Sequence, residues 1–504
     1  MKPVLLLDGY IDTPTELGVP PYISATVRYI AYVLDYYGLD YEYVPVCTWR
    51  RLAHSGELKS VFPAKQYGIV IIVGGTTVPG RYLSAYPVDA KELKKIARYF
   101  RNNTKIAVGP LAVASDRGKK FVSGVSTEDW DYVVWGDVEE FFFNFFRDLT
   151  YYRPGFYECE TDFSILDKVL ERANTDFTRL HPFYPHVIAE IETARGCDKR
   201  PSCIYCENSI KPRKVEFRSI ESVRRELELL RGGLAAIRFG KQANILAYGG
   251  EDVGKAVYRP NPDAVSKLYE AAHDLKFEVI HSDNANPLTF KLFPAEAVKA
   301  LEAIATYNTP YDTLALGIED VSEKVVKMCN LKVGKEDALK VVAMIQEHGK
   351  GKIYAGINVL LGLPFQTTES LNELLDFLKE LTQYKVRRIN IRQVQVVKGS
   401  VLARLVEAKR LKIAKLKKNV IHSFRERVRK EIDLVLIKKV FPAGTIFDAV
   451  VEKETKEGSF ARFLGSYPPV IFIPQKGLGF LAKVRVEIVD HTPRALVGKV
   501  VELL

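Results

Sequence analysis

The chain has 504 residues, 47% of them hydrophobic and 27% charged. That is too long for one ordinary domain and predicts about three, each with a sizeable core. No apolar run approaches a membrane span, and Asp8 interrupts the first apolar stretch, so no signal-peptide pattern opens the chain. A cytoplasmic protein with no membrane partner is the expectation. The formal charge of +11 and pI of about 9.0 favour an anionic partner such as RNA. Six cysteines, at 47, 159, 197, 203, 206 and 329, fit metal ligation in a reducing compartment better than disulfides.

Residues 1–150 alternate strands and helices. Val4–Leu7 reads as a short strand ending at Asp8-Gly9, and Ser24–Tyr37 as a helix with Val27, Ile30, Ala31 and Leu34 on one face. Tyr41–Val46, Ile69–Val73, Ile106–Val108 and Tyr132–Trp135 follow as strands, with helices over Asp89–Phe100 and Glu139–Leu149. This order predicts an open, Rossmann-like parallel sheet with any ligand at the strands' carboxyl ends. Residues 151–187 are rich in Tyr, Phe and Pro and read as a connector that wraps the core.

Residues 188–400 alternate again. Strands are expected at Ile188–Glu192, Ala235–Phe239, Glu278–His281, Thr313–Ile318, Gly356–Leu361 and Arg388–Val396. Helices are expected at Ser219–Leu230, Phe293–Ile304, Glu336–Glu347 and Leu371–Leu381. About six βα units predict a partial TIM-like barrel with its site at the strands' carboxyl ends. The run Glu192-Thr193-Ala194-Arg195-Gly196-Cys197 follows the first of these strands, then Cys203-Ile204-Tyr205-Cys206. Three thiolates on one loop can hold three irons of a [4Fe–4S] cube and leave the fourth open to a substrate or cofactor. Zinc is the alternative, with His181 or His186 as fourth ligand.

Residues 401–440 read as a basic helical linker, with thirteen Lys and Arg against four acids, a net +9 of the +11 total. Such a focus of charge is what phosphate binding needs. Residues 441–504 carry short β-rich segments, Val470–Ile473 and Val484–Ile488, between glycine turns, and predict a five-stranded OB-like barrel.

The cysteine run resembles the cluster loop of the radical S-adenosylmethionine (SAM) superfamily, Glu-x-x-Arg-Gly-Cys followed by Cys-x-x-Cys, though the first gap here is five residues and not three. The resemblance implies that Cys197, Cys203 and Cys206 hold a [4Fe–4S] cluster and that Tyr205 packs on the SAM adenine. Gly240-Lys241-Gln242 with Tyr248-Gly249 resembles the segment that binds the SAM amino group. Gly317-Ile318-Glu319 resembles the one that meets its ribose or amino group. Asn358 to Pro364, with Gly362 at the turn, resembles the one that packs on the adenine. Arg392 near the last strand is a candidate for a SAM carboxylate or an RNA phosphate.

The first region resembles cobalamin-binding-type domains, on Gly18-Val19-Pro20-Pro21, Gly74-Gly75 and Trp135-Gly136-Asp137-Val138-Glu139-Glu140. It lacks the Asp-x-His-x-x-Gly segment, so any cobalamin binds without a histidine ligand. The last region resembles an RNA-binding TRAM domain, which implies RNA contacts at Arg462, Tyr467, His491 and Arg494. The three-part order resembles tRNA methylthiotransferases, but only Cys47 stands where those enzymes carry three further cysteines. The implied function is radical methyl transfer to a base carbon of tRNA or rRNA. An electron donor such as ferredoxin or flavodoxin is implied as a partner. Methylthio transfer from an unusual sulfur donor, or a protein or small-molecule substrate, remains the alternative.

Overall fold

The computed structural model describes residues 2–9, 22–75, 86–109, 112, 128–150, 152–210 and 213–504. The Gly18-Val19-Pro20-Pro21 run lies outside them. In chain order the first eight strands are β1 (Val4–Gly9), β2 (Tyr22–Ile23), β3 (Tyr41–Pro45), β4 (Ile69–Gly74), β5 (Thr104–Val108), β6 (Tyr132–Gly136), β7 (Gly155–Cys159) and β8 (Ile188–Glu192). Six of them form a parallel sheet in the order β3-β1-β4-β5-β6-β7. β1 and β4 are buried along their whole length, as unbroken apolar strands covered on both faces must be. Ser24 starts the helix Ala25–Tyr36 by accepting the Val27 N–H at 3.3 Å.

Two segments depart from the sequence reading. The connector is not only a wrapping: β7 extends the first sheet, with Gly155 opposite Tyr132. β2 leaves that sheet and lies parallel to β8, with Tyr22 opposite Ile188. The helix Ala25–Tyr36 therefore starts from the second unit and packs into the first. Arg28 on this helix donates to the Ile23 carbonyl at 2.8 Å and pairs with Glu226 at 3.0 Å. Arg218 meets the same carboxylate at 2.5 Å, and all three side chains are fully buried. Burial alone would raise the Glu226 pKa, yet Arg218 and Arg28 hold it below its ordinary value.

Beyond β8, the short strands β9 (Ala194–Arg195) and β10 (Glu216–Phe217) pair antiparallel. The second unit continues through β11 (Ala236–Gly240), β12 (Val279–Ser282), β13 (Asn284–Ala285), β14 (Asp312–Glu319), β15 (Ile353–Leu361) and β16 (Val386–Gln393). Its strands run β2-β8-β11-β12, then β13-β14-β15-β16 after a break at Asp283, giving a partial barrel with free edges at β2 and β16. One apolar core includes Leu6 and Val73 of the first sheet, Val27 of the first helix, and Ile191, Ile237 and Ile357 of the barrel.

The basic stretch forms helices Val401–Glu407, Lys418–Arg427 and Leu434–Val440, the last two joined by a π-helical turn, Val428–Asp433. Five strands close the C-terminal barrel: β17 (Ile446–Glu454), β18 (Ser459–Phe463), β19 (Val470–Ile473), β20 (Lys483–His491) and β21 (Ala495–Leu503). The loop after β18 enters the partial barrel from below. Leu464 packs against Tyr22, Ile188, Ala236 and Val279, the first residues of β2, β8, β11 and β12. Among the described residues no helix is long and apolar enough to cross a membrane.

β6 and β7 close against each other only over a glycine. Gly136 has φ 98°, and a Cβ there would stand 2.0 Å from the Cys159 carbonyl oxygen. Gly136→Ala is expected to destabilise the protein by more than about 1 kcal/mol in urea melts; an unchanged midpoint would contradict this packing.

Candidate active site

β8 ends at Glu192, and three residues on Arg195 is locked before the first cysteine. Its side chain is about 3% exposed and pairs with Glu139, with Glu192 at 3.1 Å and with Asp137 at 3.5 Å. It also donates to the carbonyls of Thr161 and Asp162 at 3.0 and 3.2 Å and lies over the Phe163 ring. Arg213 bonds Asp137 at 2.6 Å and Glu216 at 2.7 Å, and Lys241 reaches Glu192 at 3.0 Å. Burial alone would raise Glu192, but Lys241 and Arg195 hold it down at about 2. Burial raises Glu139 despite Arg195. The Asp137–Glu140 motif of the first sheet thus grips the residue two positions before Cys197.

Cys197, Cys203 and Cys206 carry free thiols, with Cys203 buried. Burial pushes the Cys197 thiol up to about 12, so iron must displace a proton to bind it. The long first gap is pinned rather than loose. Asn330 donates to the carbonyls of Pro201 and Ser202 at 2.8 and 3.0 Å, Lys199 donates to Pro201 at 2.9 Å, and the Arg200 N–H reaches the Ala256 carbonyl. Asn208 donates to the Cys206 sulfur at 3.7 Å. Three thiols on a held loop fit a cube that takes one thiolate per iron.

The zinc alternative fits less well. His186 lines a cavity with Phe463 and Leu464 below β8, roughly one strand length, about 17 Å, from the cysteine loop. His181 accepts the Phe183 N–H, and the Phe183 ring meets Phe480 of the C-terminal barrel.

Around the cysteines, Glu319 ends β14 at a bulge with φ 68°. Such backbone strain costs about 1–3 kcal/mol and collects at functional sites. Tyr205 bonds the Glu319 carboxyl, and its ring packs with Val325, Cys329 and Leu363. Burial raises Glu319, opposed by Lys332 and Arg392. Lys332 was not apparent from sequence. A Cβ on Gly317 would stand 2.2 Å from its Nζ and 2.8 Å from Glu319 Oε1, so glycine makes room for this pair. No motif marks Lys332; only the fold brings it over Gly317.

The chain turns just after Gly240 at the end of β11. Lys241 takes the left-handed conformation with φ 62°, and Gly240 is needed because a Cβ would come 2.6 Å from Glu190 Oε1. Gln242 donates to the Phe239 carbonyl at 3.0 Å, while its Oε1 is buried without a hydrogen-bond partner. An orphaned amide oxygen is an acceptor in want of a donor such as the SAM ammonium. Asn358 lies in register with Gly317 and Asn390 and accepts from the Asn390 amide at 3.0 Å. Gly362, at φ 91°, turns the chain and donates to Gln366 at 2.6 Å.

The barrel floor is polar and closed by the C-terminal barrel. Glu190 pairs with Arg238 at 2.9 Å. Tyr467 lies 3.6 Å from Arg388 and 5.4 Å from Arg238, ring centroid to guanidinium, and its hydroxyl donates to Asp283 at 2.5 Å. The Ser466 N–H donates to His281 at 2.9 Å. Three of the four side chains read as RNA contacts also have partners within the protein. Tyr467 is inside the barrel floor, Arg462 is buried against Glu452 at 2.9 Å, and His491 bonds the Phe441 carbonyl at 2.5 Å. Arg462 is buried, whereas Tyr467 and His491 are partly exposed. Arg494 is exposed.

Residues 191–378 match the family model of the radical SAM superfamily. An uncharacterized protein of Methanocaldococcus jannaschii is 33% identical across 99% of this chain and 93% of its own length. The ribosomal protein uS12 methylthiotransferase RimO of Dictyoglomus thermophilum is 21% identical, over 63% of this chain and 68% of that protein. The radical SAM methyltransferase TsrM from Kitasatospora setae shares the fold at a TM-score of 0.51 and 15% identity, over 78% of this chain and 73% of that one. Fold and site together define a radical SAM enzyme, with a [4Fe–4S] cluster and SAM as its cofactors. The chain belongs to the radical SAM superfamily, near its methylthiotransferase branch, and shares its full length with the M. jannaschii protein.

The Arg195 network has a pH signature. Glu192 is depressed in the folded state, so its contribution is complete above its ordinary value of 4.5 and is lost as pH falls towards about 2. Arg195→Met is expected to cost about 3–5 kcal/mol by stranding buried carboxylates and to flatten that acid dependence. Urea melts of both proteins between neutral and acid pH test it.

Proposed function

We propose that this protein is a radical SAM transferase that methylates an unactivated base carbon in tRNA or rRNA. Bound together, the cluster and SAM supply a 5′-deoxyadenosyl radical for hydrogen abstraction, and cobalamin supplies a methyl group. Cys197, Cys203 and Cys206 hold the cluster. Gln242 and Glu319 orient SAM, and Lys332 holds the Glu319 carboxylate in place. The observation that carries methyl over methylthio transfer is the placement of the remaining thiols. Cys47 follows β3 and Cys159 ends β7, at opposite edges of the sheet, five strand spacings or roughly 24 Å apart. Cys329 packs in the barrel, where its backbone carbonyl accepts the Ile204 N–H. Three such thiols do not hold a second, sulfur-donating cluster.

Cobalamin fits the edge of the first sheet. β1, β4 and β6 end in Gly9, Gly74 and Gly136, and Gly109 follows β5. A Cβ at Gly9 would stand 2.8 Å from the Val73 carbonyl oxygen, and one at Gly109 2.5 Å from that of Gly74. Among the described residues these glycines bring the backbone to the strand ends, which supports a macrocycle lying close to it, and TsrM, which shares the fold, has been solved with cobalamin and a [4Fe–4S] cluster bound. His54, the single histidine before residue 181, is exposed on the helix Val46–Ser55, so a cobalamin held by this sheet would bind without a histidine from it. RNA as substrate is supported by the +9 charge of residues 401–440 beside a five-stranded barrel of TRAM-like sequence.

Nucleoside mass spectrometry of tRNA and rRNA from cells with and without the gene tests this reading. Loss of a methyl-bearing nucleoside supports it, and loss of a methylthio nucleoside reverses the choice of group. No change in either pool moves the substrate to protein, as the name of RimO describes for that enzyme. Cys203→Ala is expected to abolish SAM cleavage under strong reductant while RNA affinity changes less than about twofold, since phosphate contacts carry the affinity. Retained cleavage would sink the cluster assignment.

A further inference from the structure

A cavity of about 50 Å³ lies where β16, the π-helical turn Val428–Asp433 and the C-terminal barrel meet. Its charged lining is Arg387, Arg388, Arg429, Arg494 and Asp433. Asp433 is the one carboxylate of this lining and is already bonded to Arg429. Arg387, only 7% exposed, lies over the Phe441 ring and donates to the Tyr467 carbonyl, both neutral partners. Burial, with Arg388 and Arg462 nearby, brings its pKa down to about 9. Asp433 is the carboxylate that opposes this shift. Arg429 Nε is buried and has no hydrogen-bond partner.

The surroundings point the same way. π-helical turns occur frequently at functional sites, and this one separates two α-helical segments and carries both Arg429 and Asp433. The cavity lies along β16, the last strand of the partial barrel. Asn390 lines it and donates to Asn358 on the neighbouring strand β15. On the scale where one water needs about 10–15 Å³, the cavity holds roughly four waters or the oxygens of one phosphate group. Arginine forks match phosphate oxygens in bidentate geometry.

We propose that this cavity binds a backbone phosphate of the RNA substrate and so holds the strand beside β16. The proposal rests on the RNA reading above and specifies where that RNA docks. The test uses full-length, cluster-loaded protein and a labelled unmodified tRNA transcript, with anisotropy measured across a salt series. Arg429→Gln and Arg494→Gln are each expected to weaken binding about tenfold and to reduce the slope of log affinity against log salt by about one. Thermal melts report folding, and the exposed Arg494 keeps the test decisive should Arg429→Gln fail to fold. Wild-type binding with unchanged variants overturns the cavity and leaves the RNA reading standing. Absence of any wild-type binding overturns the RNA reading. Titration with inorganic phosphate by calorimetry then decides the cavity alone: binding lost in the variants supports an anion site, and no binding overturns it.

Discussion

The structure depends on one buried charge. Arg195 has left water to stand among Glu139, Glu192 and Asp137, with Arg213 and Lys241 balancing the surplus of acid. Buried ions are costly unless every partner is in place. The partners come from the first sheet, from β8, and from the turn after β11, so the network is satisfied only when the two units meet in one arrangement. Cys197 lies two residues further on. The cysteine loop is therefore positioned by the first sheet as much as by the barrel that carries it.

The same economy is repeated below. β2 and the helix Ala25–Tyr36 tie the first sheet to the barrel through the Arg28–Glu226–Arg218 triad and a shared apolar core. The C-terminal barrel ties itself to the floor through Leu464, Ser466 and Tyr467. Arg238 and Arg388 have the Tyr467 ring beside them, and Asp283 takes its hydroxyl. A closed floor leaves the carboxyl ends of the strands, where the thiols and Glu319 lie, as the approach to the reacting centre. Water is kept from below by neutral packing and from within by paired charge, which strengthens every electrostatic contact at the centre.

The distribution of positive charge follows this plan. Much of the excess is on residues 401–440, but its useful part is not simply the exposed face of a helix. The turn at Val428–Asp433 directs Arg429 into the junction with Arg387, Arg388 and Arg494. Burial concentrates the field of those groups, since a low-dielectric wall screens them less than solvent does.

Local chemistry was legible in the sequence. The unbroken apolar runs of β1 and β4, the cap at Ser24, the glycine turns and the three-cysteine loop each follow from short-range rules, and the alternation of strand and helix marked out a parallel sheet and a partial barrel. So did the five strands of the terminal barrel. Contacts between segments far apart in the chain could not be read in this way. Tyr467, Arg462 and His491 have the composition of an RNA surface, and each also has a partner within the protein: Asp283, Glu452 and the Phe441 carbonyl. Lys332 has no motif, and β2 is only two residues long, but both hold decisive places. Local sequence determines what a segment can form and which ligands it can offer. The tertiary structure alone decides which polar groups lose water, because that depends on neighbours hundreds of residues away, and burial is what turns a charged side chain into a fastener, a site or a surface.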